Sequence, residues 1–310
     1  MVRAMCALLI GAWMVACGDD SSAVDGGTDG ATGGALSLLL EAEETITEGL
    51  EGGSGDENIL DGWSVTFDRY VVAIGDIDLT FSTDASNTAN ASEVFVVDLV
   101  QVPPTGLALW SFDSLRNGRW ELAYETPLAS ASAQRHESVS EEVFAEMVRE
   151  GWTYLVEGTI SQTGGESCPP PAGTCSVNES IAFRFGAAAA TAYGPCQAED
   201  GPPGVAIIPG GTTASLTIHG DHLFFNGFPE AEEGGVMRFA QWLADCDIDL
   251  DGMVTRAELE GIVPADLAEL DERYDLSSPI PLTNMWEYVR AQLTTQGHFQ
   301  GEGECPPTLL

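Results

Sequence analysis

Residues 247–258 read DIDLDGMVTRAE. Aspartates stand at positions 1, 3 and 5 of this stretch, glycine at position 6 and glutamate at position 12, namely Asp247, Asp249, Asp251, Gly252 and Glu258. Alternate carboxylates can turn toward one hard cation, glycine permits the sharp backbone turn, and the final glutamate can supply two oxygens. The stretch therefore predicts a calcium-binding loop.

The spacing is that of an EF-hand loop, in which Met253 offers its carbonyl oxygen and Thr255 holds a ligating water. Apolar residues on both sides recur with helical spacing. They predict an entering helix on Val236, Phe239, Ala240 and Leu243 and an exiting helix on Leu259, Ile262 and Val263. The alternative is an acidic turn that holds no metal. A second such loop is not evident, so another segment must brace the first.

The N-terminus reads as a targeting signal. Arg3 precedes a short apolar run over residues 4–16, which is too short to span a bilayer. Residues 14–17 (MVAC) resemble a bacterial lipobox, which predicts a signal peptide over 1–16 and lipidation of Cys17. Gly18 after that cysteine resembles proteobacterial lipoproteins of the outer membrane. The alternative is ordinary secretion with cleavage near Ala16. Residues 17–35 then form a flexible tether.

The net charge of the chain limits which partners it can bind. The formal net charge is −38, and all eleven cationic residues are arginines. Nothing in such a chain could neutralise phosphates, so nucleic acid is excluded as a partner. Electrostatic docking on anionic lipid is disfavoured for the same reason, which leaves the lipid anchor as the membrane contact.

Five cysteines remain after Cys6 and Cys17 are set aside. In an exported chain they predict two disulfides and one free thiol. The candidates for pairing are Cys168, Cys175, Cys196 and Cys305, with Cys168 and Cys175 joined to each other or to the other two. Cys246 is the predicted free thiol, kept neutral by burial and by nearby carboxylates.

Short alternating apolar segments between about 60 and 220 predict strands, the last of them containing Leu216 and Ile218. A capping box from Ser138 to Glu141 predicts one helix ending at Gly151, and a final helix is predicted from Thr283 to Gly297. The predicted fold class is α+β. An antiparallel β-sandwich over 36–229 is followed by a small helical EF-hand module with a C-terminal tail over 230–310.

Three of the four histidines are placed suggestively. His219 and His222 follow the last predicted strand, and His298 lies in the tail. If the tail folds back, three imidazoles could bind copper or zinc, with Asp221 or water completing a tetrahedron. The alternative is that His219 and His222 hydrogen-bond at a domain junction. His136 is predicted to be a solvated surface residue.

Four segments carry a family resemblance: residues 61–69 (DGWSVTFDR), residues 218–222 (IHGDH), the calcium loop and the Gly297–His298 tail. Together they resemble a family of acidic bacterial envelope lipoproteins with a C-terminal EF-hand. The resemblance covers most of the mature chain and does not imply any particular activity. It implies a shared architecture and a metal-handling role. The chain departs from the family at Cys246 and at Glu304, where a third tail histidine would be expected.

No nucleophile elbow, zincin helix or phosphate-binding glycine loop is present, so catalysis has no motif to support it. The sequence therefore favours a calcium-binding envelope lipoprotein with a structural or binding role. One alternative is a lipoprotein that handles copper or zinc. Another is a hydrolase hidden in the β domain, since an acidic residue pair could serve as in glycosidases.

Overall fold

The computed structural model describes residues 33–55, 57–171, 174–228, 236–267, 274, 276–278 and 280–310. The predicted signal peptide, Cys17 and nearly all of the predicted tether lie outside the described residues. Residues from 32 onward belong to one compact unit. No helix in the described part of the chain has both the length and the apolar character needed to cross a membrane.

The described part is a β-rich α+β fold. Its strands before the long C-terminal segment are β1 (Gly34–Ala42), β2 (Ser64–Phe81), β3 (Asp84–Ala91), β4 (Phe95–Asp98), β5 (Leu107–Leu115), β6 (Gly118–Thr126), β7 (Gln134–Arg135), β8 (Tyr154–Ser161), β9 (Glu166–Ser167), β10 (Ser176–Val177), β11 (Ser180–Ala187), β12 (Thr191–Tyr193), β13 (Val205–Ile207) and β14 (Thr212–Ile218). Three more follow: β15 (Met253–Thr255), β16 (Gly297–Phe299) and β17 (Pro307–Leu309). The strand containing Leu216 and Ile218 is therefore not the last.

The helices are α1 (Glu44–Thr47), α2 (Glu141–Glu150), α3 (Gln241–Ala244), α4 (Arg256–Gly261) and α5 (Met285–Leu293). Short 3-10 turns lie at Leu99–Gln101, Asp221–Phe224 and Pro264–Asp266.

Two sheets share one core. The smaller has the order β16-β14-β1-β5, in which β1 runs parallel to β14 and antiparallel to β5. The larger follows the path β15-β11-β8-β2-β6-β12-β17. Inward side chains of both sheets meet in one apolar cluster, among them Leu38 of β1 and Val65 of β2. A separate two-stranded pair is formed by β9 and β10.

Strand β2 organises the larger sheet because it changes partners along its length. Its first half pairs with β8 and its second half with β6. Pairing with β8 ends at Val72 and pairing with β6 begins at Gly75. The β6 pairing is then irregular between Gly75 and Asp78, where Asp76 has a left-handed φ of 48°. A Cβ on Gly75 would lie 2.2 Å from the carbonyl oxygen of Glu93, so glycine is required at this close approach.

Helix α2 covers the outer face of β2. Val71 and Ala73 of β2 pack with Met147 of the helix in a second apolar cluster, which explains why the middle of β2 is apolar on both faces. The helix begins after Ser140, whose Oγ accepts a hydrogen bond from the Val143 N–H. The predicted cap Ser138 is wrong, because its Oγ instead accepts from the Asp98 N–H of β4. Gly151 ends the helix in the left-handed conformation, as predicted.

The segment before the acidic loop is mostly extended. Only Gln241–Ala244 is helical, so the predicted entering helix from Val236 is wrong over its first half. Arg238 forms isolated bridges with Ile59 and Phe225 instead, and Phe239 and Ala240 are buried outside any helix. These tertiary contacts override the helical spacing. Helix α5 begins after its cap Asn284, close to the predicted start.

Candidate metal sites

The acidic loop adopts a tight turn that brings three carboxylates together. Gly252 has a φ of 84°, the left-handed conformation that its position in the pattern requires. One oxygen each from Asp247, Asp249 and Glu258 lies within 4.8 Å of the other two. Asp247 is fully buried, and Val254 of the same loop is buried as well. Three of the four predicted side-chain ligands thus face one point.

Backbone N–H groups support this arrangement. The N–H groups of Asp251 and Gly252 donate to the two oxygens of Asp247 at 3.1 and 3.0 Å. Asp251 does not belong to this group of three, and its Oδ1 accepts from the Met253 N–H at 2.9 Å. Burial raises the pKa of the Asp247 carboxyl above its usual value, against these backbone hydrogen bonds, which lower it.

Glu258 joins the two ends of the loop. Its Oε1 accepts from the Ile248 N–H at 3.1 Å. Its Oε2 accepts from both the N–H and the hydroxyl of Thr255, which forms the capping box of α4. Neutral hydrogen-bond donors therefore already hold Glu258, the predicted last ligand, where the two ends of the loop meet. Met253 and Thr255 occupy β15, with exposed side chains.

The sheet braces the loop, as a single loop of this kind requires. Strand β15 pairs in parallel with residues 182–184 of β11, and the Ala182 N–H donates to the Gly252 carbonyl oxygen at 2.9 Å. Asn178 Nδ2 donates to Asp247 Oδ2 at 3.0 Å. Sequence reasoning missed Asn178, since nothing local marks a partner 69 residues away.

The cysteines pair as two disulfides, as predicted. Cys168 is joined to Cys175 and Cys196 to Cys305. Cys246 is free and buried, and burial raises the pKa of its thiol well above the ordinary value. The first disulfide lies next to the acidic loop, because the Cys168 N–H donates to Asp245 Oδ1 at 2.8 Å. The second disulfide holds the C-terminal tail, in which His298 lies.

A second candidate site lies where the tail returns to the smaller sheet. Strand β16 pairs antiparallel with β14, and Thr217 stands opposite His298. The ring centroid of His298 lies 4.1 Å from that of His219 and 5.1 Å from that of His222. One nitrogen from each of the three rings lies within 4.8 Å of the other two. The tail therefore folds back onto β14, which is the condition that the three-imidazole hypothesis required.

Hydrogen bonds fix which nitrogens of these rings carry protons. Thr295 donates its hydroxyl proton to the Gln292 carbonyl oxygen, so it accepts from His222 Nδ1 at 2.8 Å. His219 Nε2 lies 3.2 Å from the Gly301 carbonyl oxygen, which can only accept. In a neutral imidazole, these bonds place the remaining lone pair on Nε2 of His222 and on Nδ1 of His219. His298 Nδ1 is buried and has no hydrogen-bond partner among the described residues.

Carboxylates border the histidines. Glu43 Oε2 lies 3.5 Å from His219 Nδ1, and Glu302 Oε2 lies 4.0 Å from it. Burial, and next the charge of Asp221, raise the pKa of Glu43 to about 7. Burial lowers the pKa of His298 to about 3 and that of His222 well below its usual value, with the neighbouring histidines adding to both shifts. His222 and His298 are thus neutral at pH 7.

Asp221 plays a different part from the one expected. Its Oδ2 accepts from Arg238 Nε at 2.8 Å, and the two groups form a buried ion pair. Its Oδ1 is buried and has no hydrogen-bond partner among the described residues. The expectation that Asp221 completes a tetrahedron with the histidines is not met in this arrangement, because the arginine holds its carboxylate. Glu43, which the sequence did not single out, is the carboxylate that lies nearest to His219 Nδ1.

His136 lies elsewhere, half-buried on the segment that leads to α2, with Nδ1 2.8 Å from Ser138 Oγ. It does not belong to the group formed by the other three histidines.

Comparison of the chain with protein-family models, with curated proteins and with solved structures gives no match.

Proposed function

We propose that this chain is a calcium-binding lipoprotein of the bacterial envelope, in which the ion stabilises the fold. The observation that carries the proposal is the convergence of Asp247, Asp249 and Glu258 in a loop that is hydrogen-bonded to the edge of the larger sheet. Calcium prefers six to eight oxygen ligands, and a bidentate glutamate, the Met253 carbonyl and water can supply the rest.

A structural role follows from how the loop is attached. Strand β15 and Asn178 tie the loop to the sheet, so an ion that orders the loop also stabilises the sheet edge. The carboxylates repel one another when no cation is present, and Asp247 is fully buried. Calcium removes that repulsion, which is why its binding should raise the free energy of unfolding.

The finer architecture is part of the proposal: a β-sandwich followed by a helical EF-hand module, tethered to the outer membrane through lipid on Cys17. Two disulfides support an oxidising compartment. Mass spectrometry of the mature N-terminus tests the anchor. A diacylated or triacylated Cys17 would support it, and an unmodified terminus starting elsewhere would contradict it.

Isothermal titration calorimetry on the full chain in detergent tests the calcium site. We expect one site with a dissociation constant in the extracellular range, about 10⁻⁴ to 10⁻³ M. Glu258→Gln should abolish the calcium heat in that range. The matched control is Glu260→Gln, two residues along the same helix, where the glutamate pairs with Arg256 on the surface. Equal calcium heat in wild type and Glu258→Gln would contradict the proposal.

A further inference from the structure

Three imidazoles from separate points of the chain meet between the smaller sheet and the returning tail. We infer that His219, His222 and His298 form a binding site for one divalent transition-metal ion that prefers imidazole nitrogen, zinc or copper. This inference is independent of the proposed calcium role, because it uses different residues and a different ligand chemistry.

The spacing of the rings fits a metal after a small adjustment. Nitrogens bound to one zinc ion at about 2.0 to 2.1 Å in a tetrahedron lie about 3.3 Å apart. The three nitrogens lie within 4.8 Å of one another. Closing that difference requires the rings to reorient about their side-chain torsions, so that each lone pair points at the ion.

The hydrogen bonds already orient two of the rings as ligands. His222 donates from Nδ1 to Thr295, which leaves Nε2 to bind a metal. His219 donates from Nε2 to the Gly301 carbonyl oxygen, which leaves Nδ1. In metal sites, ligating histidines commonly donate their other ring N–H to such a partner, which fixes the tautomer and the ring orientation.

His298 supplies an observation of a different kind. Its Nδ1 is buried and has no hydrogen-bond partner among the described residues. A buried polar atom without a partner costs about 1 to 3 kcal/mol. A metal ion at the centre of the three rings would give this nitrogen a partner, so the site accounts for an atom that the protein alone leaves unsatisfied.

The tail is held firmly enough to make the site pre-formed. His298 lies within β16, which pairs with β14, and Cys305 farther along the tail is joined to Cys196. The Gly301 N–H also donates to Thr217 Oγ1 at 3.0 Å. His219 and His222 are only 3% exposed. A site of nitrogen ligands held in this way suits zinc or copper and does not suit calcium, which takes oxygen ligands.

Cobalt(II) is a suitable probe, because its visible spectrum reports nitrogen coordination. The full chain, stripped with a chelator and returned to excess calcium, should bind one cobalt ion with a four- or five-coordinate spectrum, and zinc or copper should displace it. His298→Gln and His222→Gln should each weaken cobalt binding more than about 100-fold, since loss of even an outer partner costs 10- to 100-fold. His136→Gln, the matched control, should bind as wild type does.

Two further variants distinguish a specific effect on this metal site from a general loss of structure. Thr295→Val keeps all three rings and removes only the hydrogen bond that orients His222, so cobalt should bind about 10- to 100-fold more weakly at unchanged stoichiometry. Glu258→Gln should leave cobalt binding intact, which separates this site from the calcium loop. The inference fails if wild type takes up no cobalt, zinc or copper. It also fails if the folded histidine variants bind as tightly as wild type.

Discussion

Asn178 Nδ2 donates a hydrogen bond of 3.0 Å to Asp247 Oδ2, although the two residues are 69 positions apart in the chain. The same oxygen accepts from the Gly252 N–H at 3.0 Å. The first carboxylate of the acidic loop is therefore positioned from two sides, by its own loop and by the segment between β10 and β11. The sheet takes part in shaping the proposed calcium site.

We expect Asn178→Ala to weaken calcium binding about tenfold, because the substitution removes an outer partner of a buried ligand. The calcium-induced rise in melting temperature should shrink with it. Asn90→Ala, on the exposed strand β3, is the matched control and should leave both quantities unchanged. Calorimetry and a thermal melt at fixed calcium concentration measure the two effects. An unaltered affinity in Asn178→Ala would show that the contact plays no part in binding.

The two disulfides should contribute unequally to stability. Cys196–Cys305 closes a separation of 109 residues and Cys168–Cys175 one of only 7. Chain-entropy arguments give about 4 to 5 kcal/mol for the longer closure and about 2 to 3 kcal/mol for the shorter. Denaturant unfolding of the paired Cys→Ala variants should show this order. The variant lacking Cys196–Cys305 should also lose cobalt affinity, since its tail is released. The reverse order would contradict the argument.

Gly297 should not tolerate a side chain. A Cβ there would lie 2.5 Å from Tyr124 Oη and 2.6 Å from Tyr193 Cε1, and these tyrosines are buried and stacked against each other. We expect Gly297→Ala to cost about 1 to 3 kcal/mol from overpacking. It should also weaken cobalt binding, because His298 is the next residue. Gly261→Ala is the control, with its nearest atom at an ordinary 3.6 Å. Wild-type stability in Gly297→Ala would refute the prediction.

Asp98 should give the fold a defined pH dependence. Burial raises the pKa of its carboxyl above the ordinary 3.8, against hydrogen bonds from Tyr70, Gln101 and Val100. A raised folded pKa means that Asp98 contributes stability below pH 3.8, which is lost as the pH rises through the folded pKa. Asn at this position keeps the Oδ1 acceptor for both backbone donors but does not titrate. The stability of wild type relative to Asp98→Asn should therefore fall over that window.

Asp84 serves as a control, because its contribution to stability should depend on pH with the opposite sign. Hydrogen bonds from the Ser86 hydroxyl and N–H lower its pKa below 3.8. Its contribution is present above that value and is lost as the pH falls through the folded pKa. Urea unfolding of wild type, Asp98→Asn and Asp84→Asn between pH 3 and 7 separates the two cases. Parallel pH profiles for all three proteins would contradict both assignments.

The parts of the fold that the sequence could predict are those that depend on local patterns of residues. Alternation identified strands such as β6, the αL glycine ended α2 at Gly151, and cysteine pairing anchored the tail. The loop pattern located three carboxylates that do converge. These features depend on residues close in sequence, or on a covalent bond whose chemistry is independent of the fold.

What the sequence could not predict depends on distant partners. The first half of the expected entering helix is extended because Arg238 bridges Ile59 and Phe225. Ser138 gives its hydroxyl to β4 in place of capping α2. Glu43 comes close to His219 because β1 runs parallel to β14, a pairing between two segments that are far apart in the chain. None of these contacts is signalled by a repeating pattern of residues in the local sequence.

The position of β15 has a consequence for how these molecules behave toward one another. It is the terminal strand of the larger sheet, and it covers the backbone of residues 182–184 in β11. An uncovered strand offers its N–H and C=O groups as a template for another chain. A loop that came loose from the sheet would expose that template on every copy. Calcium in the loop would then protect the protein against association between neighbouring copies.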